Sequence, residues 1–254
     1  MRYNHRSHAG NAGDVWKHFI LAEVAEYLLA KENRLVYVES HVGYPKYPLE
    51  KPGEWQDGIG ECWKRHDVLK EFSYFGILEK MNPAKLSSYP GSGIIVLMAA
   101  TKAGYGLEAD VWDTNLDVAA SWHDVPLPES DKIRFHLGDG FSGVGALMDR
   151  PGPALLLIDP PYLDIRDIER AADLLERGAK SGWTVLLWQM DGVDAMPKIC
   201  CNLESYSLKF SDVGISCGKS KEATVTLVGS DDLLDYVKER TRNFLGIIER
   251  PEPI

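Results

Sequence analysis

The residues best suited to chemistry form the run Ile158-Asp159-Pro160-Pro161-Tyr162. Two successive prolines donate no backbone hydrogen bonds and fix φ, so a stiff, extended loop is expected after the preceding apolar run. The Asp159 carboxylate and the Pro160 carbonyl would then be paired acceptors that hold an exocyclic amino group with its lone pair directed at an electrophile. Tyr162 offers a flat face for stacking a base, a contact worth about 1–3 kcal/mol. The alternative is a proline-rich turn with a buried tyrosine.

Short apolar or β-branched runs, separated by segments of helical periodicity, must position this loop. The predicted strands are Leu35–Glu39, Leu107–Trp112, Lys132–His136, Ala154–Ile158, Trp183–Trp188 and Glu222–Val228. Helices are predicted at Asp14–Ala30, with Asn11 or Asp14 near its start, and at Ile168–Ala179. This alternation predicts an α/β fold, a doubly wound, mostly parallel sheet with helices on both faces.

One connection is much longer than a single crossover requires. It contains the aromatic and charged stretch GEWQDGIGECWKRHDVLKEF, within residues 52–86. We interpret residues 52–86 as a helical insertion subdomain at the carboxyl edge of the sheet. The whole chain, residues 1–254, is expected to be one domain.

Acidic residues end or follow four of the predicted strands: Glu39, Asp113, Asp139 and Asp159. Ligands of doubly wound sheets bind outside the carboxyl ends of the strands, and an acid after the second strand suits the hydroxyls of a ribose. Any one of these acids could be an ordinary helix cap. Four around one edge favour a cofactor site.

Two loops are candidates for close approach to that cofactor. The loop after the first strand holds one glycine, Gly43, where cofactor loops commonly have two or three. The turn Tyr89-Pro90-Gly91-Ser92-Gly93 precedes an apolar helix. Ser92 could contact a ligand, although capping the helix explains it equally well.

Charge and composition limit the classes of protein. The formal net charge of −10 argues against a broad basic face for nucleic acid. Two local basic groups remain, one in residues 1–18 and one at Lys219 and Lys221. The polar amino-terminal segment and the absence of an apolar run of membrane-spanning length predict a cytoplasmic protein. The four cysteines form no C-x-x-C pair, so no metal site is expected.

The amino-terminal segment and four later motifs resemble those of a known family. The run YNHRSHAGNAGDVWKH at residues 3–18 resembles the pattern YxHxxHAGNxxDVxKH of bacterial ribosomal large-subunit RNA adenine-N6 methyltransferases. The motifs ESHVG, YPGS, GDGF and IDPPY follow in the same order as in that family. The resemblance spans residues 1 to about 190 and is faint beyond. It implies a Rossmann-like methyltransferase fold, S-adenosylmethionine as cofactor, no metal, and an adenine of 23S rRNA as substrate.

Carried over residue by residue, the resemblance implies two groups of site residues. The cofactor would be lined by Lys17, His41, Gly43, Ser92, Asp113, Asp139, Gly140 and Asp159. The adenine would be held by Asp159, Pro160 and Tyr162, with Tyr3 and His5 folding over the site.

Three positions depart from the family pattern D-T-H-A-G-x-G and its later acid. Glu39 replaces the aspartate, and Pro45 stands where the second glycine belongs and removes an N–H that could face the ligand. Asp113 has a shorter reach to a ribose than the family's glutamate.

Three functions are compatible with these residues. The leading hypothesis is methyl transfer to N6 of an unpaired or flipped-out adenine in RNA, by a protein for which a monomer is favoured. The second keeps the chemistry and changes the acceptor to a protein side-chain amide or a small-molecule amine, which the net charge suits. The third is a binding protein that has kept the fold and lost catalysis.

Overall fold

The computed structural model describes residues 8–127, 131–148, 154–193 and 202–249. The strands are β1 Arg34–Glu39, β2 Lys46–Pro48, β3 Ser88–Pro90, β4 Gly106–Asp113, β5 Lys132–Leu137, β6 Leu155–Ile158, β7 Thr184–Met190, β8 Leu203–Lys209 and β9 Glu222–Val228. The helices are α1 Ala12–Lys31, α2 Ile59–Trp63, α3 His66–Leu69, α4 Ser73–Met81, α5 Ser92–Ala103, α6 Leu116–His123, α7 Gly140–Leu147, α8 Arg166–Lys180 and α9 Asp231–Ile248.

Seven strands form one sheet in the order β5-β4-β1-β6-β7-β9-β8. The first five are parallel neighbours, and β9 runs antiparallel between β7 and β8. The order reverses beside β1, so the loops after β1 and β6 diverge and open a crevice there. The predicted doubly wound, mostly parallel sheet is confirmed.

The central strands are buried on both faces, which explains their nearly continuous apolar sequence. In β6, Leu155 and Leu157 belong to the core packed under α1, α5 and α9. Leu156 and Ile158 belong to a second core under α7 and α8. Successive side chains of a strand point to opposite faces, so one four-residue run stabilises both layers.

The prediction missed β8, and its residue pattern explains why. Tyr206 and Leu208 are buried, while Ser205 and Ser207 are exposed. This alternation is typical of an edge strand with one solvated face, and it lacks the apolar run that marks the interior strands. The short pair β2–β3, joined antiparallel across the long connection, was also not predicted.

The segment interpreted as an insertion contains α2, α3 and α4. Its start contacts the amino end of α1, where Ile59 N donates to Gly10 O over 2.8 Å. Helix α4 packs against α1 and α5. The segment thus contains three short helices, and its interpretation as an insertion subdomain stays a prediction. No helix in the described ranges is long and apolar enough to cross a membrane.

Helix α1 begins at the predicted position. The Asn11 side chain accepts a hydrogen bond from Asp14 N at 3.0 Å and caps the helix. The Asp14 carboxylate in turn accepts from Gly10 N at 3.0 Å. These bonds satisfy backbone N–H groups that have no partner within the first helical turn. They also fix the amino end of α1, which borders the crevice.

The junction between β1 and α7 depends on a glycine, which yields a stability prediction. A Cβ on Gly140 would lie 1.7 Å from Ser40 O, whereas a Cβ on Gly138 would meet nothing within 4 Å. We expect Gly140→Ala to lower the free energy of unfolding by about 2 kcal/mol or more, because backbone must move. Gly138→Ala should change it by less than about 1 kcal/mol. Urea unfolding of both variants tests this, and equal midpoints would contradict it.

Candidate functional site

A cavity of about 220 Å³ opens at the carboxyl edge of the sheet. Its walls come from α1, from the loops after β1, β4, β5 and β6, from the turn before α5, and from the segment around β9. The lining residues are His8, Ala9, Asn11, Asp14, Lys17, His18, Ser40, His41, Val42, Gly43, Tyr47, Gly91, Ser92, Asp113, Thr114, Gly138, Asp139, Gly140, Asp159, Pro160, Pro161, Trp188, Met190, Phe210, Cys217, Ser220, Glu222 and Ala223.

Most residues predicted for the site meet in this one cavity. Those that line it are Lys17, His41, Gly43, Ser92, Asp113, Asp139, Gly140, Asp159 and Pro160. Tyr162 is close in sequence but is not a lining residue. Tyr3 and His5 lie outside the described residues, so their predicted roles stay predictions.

Lys17 is the central cation of the cavity. Its Nζ lies 2.5 Å from Asp159 Oδ2 and 3.1 Å from Asp14 Oδ1, and its side chain is only 9% exposed. It also lies 5.3 Å from the centre of the Trp188 ring. Burial lowers the pKa of Lys17, but attraction to Asp159 and Asp14 outweighs it, and the pKa is raised above its usual value. The lysine therefore stays charged.

The Asp159 carboxylate is oriented by that ion pair through one oxygen only. Its Oδ2 accepts from Lys17, and no described residue donates to its Oδ1. The Pro160 carbonyl likewise has no hydrogen-bond donor among the described residues. Two acceptors from adjacent residues are therefore without a described donor at the cavity wall. That they hold an amino group stays a prediction.

Tyr162 is held more firmly than its position in a loop would suggest. Its φ is +49°, in the left-handed region that bulky residues seldom adopt. Its hydroxyl donates to Trp188 O at 2.5 Å, and its ring packs against both hydrophobic cores. Burial raises the pKa of Tyr162. These contacts hold Tyr162 in a strained backbone conformation. Residues held in this way cluster at functional sites.

The loop after β1 is fixed by protein contacts. Gly43 N donates to Asp113 Oδ2 at 3.2 Å, and Gly43 O accepts from Trp122 Nε1 at 2.8 Å. Tyr44 N donates to the Tyr47 hydroxyl at 2.9 Å. Pro45 is not a lining residue, and its carbonyl accepts from Gly91 N at 2.9 Å. The proline therefore joins this loop to the turn before α5 and leaves the cavity open.

Asp113, at the end of β4, is held in place by two backbone N–H groups. Its Oδ1 accepts from Asn115 N at 2.7 Å and its Oδ2 accepts from Gly43 N. Each carboxylate oxygen keeps a further lone pair. A fixed carboxylate at the edge of a cavity beside the switch point of a doubly wound sheet is suited to a ribose.

Asp139 and Gly140 form the opposite side of that crevice. Asp139 caps α7, accepting from Phe141 N at 3.3 Å, and also binds Ser142 Oγ at 2.7 Å and the Arg170 guanidinium. Burial raises the pKa of Asp139, but these donors outweigh burial and the net shift is downward. Gly140 lets the start of α7 approach Ser40 closely.

Glu39 does not face the cavity, although its place at the end of β1 predicted that it would. It is completely buried and does not line the cavity. Tyr37 donates to its Oε2 at 2.7 Å and Ser92 donates to its Oε1 at 2.5 Å. Burial raises the pKa of Glu39 to about 8, so the acid is largely neutral at pH 7. Glu39 therefore positions Ser92. Of the four strand-end acids, Asp113, Asp139 and Asp159 line the cavity.

Two histidines line the cavity in neutral form. His41 bonds Ser40 Oγ through Nδ1 at 2.9 Å, and burial lowers its pKa. His18, which sequence reasoning missed, bonds the Tyr89 hydroxyl through Nδ1 at 2.8 Å, and burial lowers its pKa to about 3. The only available signal for His18 was its place beside Lys17 in the amino-terminal motif.

Other lining residues missed from the sequence come from two sources. Asp14 was treated as a helix cap, although its spacing of three from Lys17 places both on one helix face. Phe210, Cys217 and Ser220 lie between β8 and β9 and Glu222 begins β9, in the part of the chain where the sequence resembles the family only faintly. No group of three or more histidine, cysteine or acidic side chains in the described ranges is placed to hold a metal.

The fold and the cavity define a class: a Rossmann-like α/β protein of the methyltransferase type, with a D-P-P-Y loop at the carboxyl end of β6. Residues 32–189 match the family described as "Ribosomal RNA large subunit methyltransferase D, RlmJ". The chain belongs to this family, and the resemblance found from its motifs is confirmed.

Individual relatives agree with this assignment. Two proteins named "Ribosomal RNA large subunit methyltransferase J", from Haemophilus influenzae and Escherichia coli, are 29% identical over 189 and 195 residues. Each match covers 71% of this chain and 66% of the relative, slightly less than two thirds of its length. A crystal structure of a Legionella pneumophila protein covers 94% of both chains with a TM-score of 0.78 at 21% identity, a likeness of fold alone.

The buried Glu39 generates a prediction of pH dependence. Its folded-state pKa of about 8 lies above the ordinary value of 4.5, so the folded state holds the proton more tightly than the unfolded state. The associated stability is complete below pH 4.5 and is lost as pH rises through 8. Glu39→Gln, which mimics the neutral acid, removes this dependence.

We expect wild type to lose stability relative to Glu39→Gln between pH 5 and 8.5, by up to about 5 kcal/mol. Urea unfolding at several pH values measures the difference. Parallel pH profiles for the two proteins would show that Glu39 is ionised in the fold.

Proposed function

We propose that this chain transfers a methyl group from S-adenosylmethionine to the N6 amino group of an adenine in RNA, with 23S rRNA as the natural substrate. The observation that carries the proposal is the pair of available acceptors, Asp159 Oδ1 and the Pro160 carbonyl, at the wall of a strand-end cavity. The names of the relatives, which are large-subunit rRNA methyltransferases, support RNA as the acceptor.

The chain's own residues act by positioning the amine. Lys17 holds one oxygen of Asp159, so the other oxygen and the Pro160 carbonyl can each accept one hydrogen of the amino group. Fixing both hydrogens turns the amine so that its lone pair points into the cavity. Asp159 Oδ1 is also placed to receive the proton that the amine loses. Holding the reacting groups in place can supply a large part of the rate enhancement.

The cavity has the chemistry expected of an S-adenosylmethionine site. We assign the ribose hydroxyls to Asp113, and the remaining contacts to Lys17, His41, Gly43, Ser92, Asp139, Gly140 and Asp159. The close approach of Gly140 to Ser40 shapes this side of the cavity. When bound, S-adenosylmethionine supplies an activated methyl group on a sulfonium, which an amine can attack directly. The reaction needs no metal.

The adenine must be unpaired or flipped out to reach this depth. The proposal keeps Tyr162 as the stacking face: its ring lies outside the cavity lining, directly after the lining residues Pro160 and Pro161, and its hydroxyl bond to Trp188 O fixes it there. The proposal also assigns Tyr3 and His5, by the family resemblance alone, to a cover over the base. The proposed substrate places the enzyme in the cytoplasm, where it would act as a monomer.

The proposed role of Asp159 as acceptor for the amine is tested by removing its charge. Asp159→Asn should lower methyl transfer to an unmodified 23S rRNA transcript at least about 100-fold, because the amide cannot take the proton. Binding of S-adenosylhomocysteine should change much less, since Lys17 retains its 3.1 Å ion pair with Asp14. Asp164→Asn, on the same loop, is the control and should remain active. Transfer of labelled methyl measures both variants, and undiminished transfer by Asp159→Asn would refute the role.

The proposed contact of Asp113 with the ribose of the cofactor is tested by truncating its side chain. Asp113→Ala should weaken calorimetric binding of S-adenosylhomocysteine at least about 10-fold, through loss of two charge-assisted hydrogen bonds to the ribose. Asp117→Ala, an exposed change in the first turn of α6, is the matched control. Unchanged affinity in Asp113→Ala would mean that the ribose lies elsewhere, and absence of binding by folded wild type would favour the binding-protein alternative.

A further inference from the structure

The segment between β8 and β9 forms a wall of the cavity and carries two lysines. We call residues 216–221 the lysine turn. Cys217 and Ser220 line the cavity, Lys219 lies between them, and Lys221 follows directly. The lysine turn is therefore part of the rim of the cavity that Asp159 also lines.

The backbone of the lysine turn is anchored at several points. Ser220 N donates to Cys217 O at 2.9 Å, which closes the turn. Ser216 N donates to Asp57 O at 2.7 Å, and Ala12 N donates to Ser216 O at 3.0 Å. The turn is thus tied both to the long connection and to the first residue of α1. Charged groups on an anchored turn lose less backbone entropy on binding than groups on a loose one.

Both lysines are exposed, and neither forms an ion pair with a described residue. Their surroundings are strongly acidic: the carboxylates that line the cavity are Asp14, Asp113, Asp139, Asp159 and Glu222. The whole chain carries a net charge of −10. A polyanion approaching this rim meets repulsion unless cations at the rim offset it. Of the lining cations, Lys17 is already committed to Asp159 and Asp14.

We propose that Lys219 and Lys221 bind phosphates of the RNA strand next to the adenine that enters the cavity. The inference rests on the proposed function and adds to it the surface that holds the RNA backbone. Lysine ammonium groups bind phosphates as mobile point charges, which suits a sequence-independent contact. The base is then selected inside the cavity, and the rim supplies affinity.

Neutralising the two lysines tests the proposal. We would compare Lys219→Gln/Lys221→Gln with the matched control Lys132→Gln/Lys180→Gln. Lys132 begins β5 and Lys180 ends α8 just before β7, so both control residues lie at the opposite edge of the sheet. The probes are a fluorescein-labelled single-stranded RNA of mixed sequence and an unmodified 23S rRNA transcript.

We expect the lysine-turn variant to bind the labelled RNA about 10-fold more weakly at 0.1 M salt. The slope of log affinity against log salt should become shallower by about 1.4, or about 0.7 for each lost contact to a single strand. Methylation of the transcript should show a raised KM and an unchanged kcat. The control variant and all S-adenosylhomocysteine affinities should match wild type.

Two failures are distinguishable. If wild type methylates the transcript and the lysine-turn variant keeps its affinity, salt slope and KM, the phosphate-binding role is overturned and the proposed function stands. If folded wild type binds S-adenosylhomocysteine but methylates no RNA, the proposed function fails and this inference fails with it. Equal weakening in both double variants would indicate a non-specific charge effect and would also overturn the proposal.

Discussion

The buried ion pair between Lys17 and Asp159 is the interaction on which the rest of the site depends. It joins the first helix to the loop after β6, residues 142 positions apart. Removing charges from water is costly, and attraction to a second carboxylate, that of Asp14, offsets part of the cost for the Lys17 ammonium. Losing one member of such a cluster typically costs about 3–5 kcal/mol. The helix start, the proline loop and the Trp188 ring are therefore fixed relative to one another.

Contacts from neighbouring elements compensate for the apparent defects of the loop after β1. A loop with one glycine allows the backbone to approach a ligand closely at fewer positions, and Pro45 removes one N–H group. In the fold, Gly43 is held from both sides by Asp113 and Trp122. Its shape is therefore set by side chains of β4 and α6, where a glycine-rich loop would rely on its own backbone. Glu39 then takes a structural role, with its neutral acid holding Ser92 in place.

The sequence predicted the interior strands and most of the strand-end residues, because burial on both faces produces apolar runs followed by polar turns. It did not predict β8, whose alternating pattern reflects one solvated face. It also misjudged Glu39, since the direction of a side chain at a strand end depends on neighbouring elements. The buried position of Lys17 likewise followed only from the packing of α1 against the loop after β6.

The distribution of charge explains how an acidic chain could serve a polyanionic substrate. Three carboxylates of the cavity contact cations: Asp14 and Asp159 share Lys17, and Asp139 contacts Arg170. Contact with a cation shortens the range of a carboxylate's field, since opposite charges in contact act as a dipole at a distance. An exposed lysine without an ion-pair partner keeps its full field. A few such lysines at the rim can therefore determine the direction of approach even where the net charge is −10.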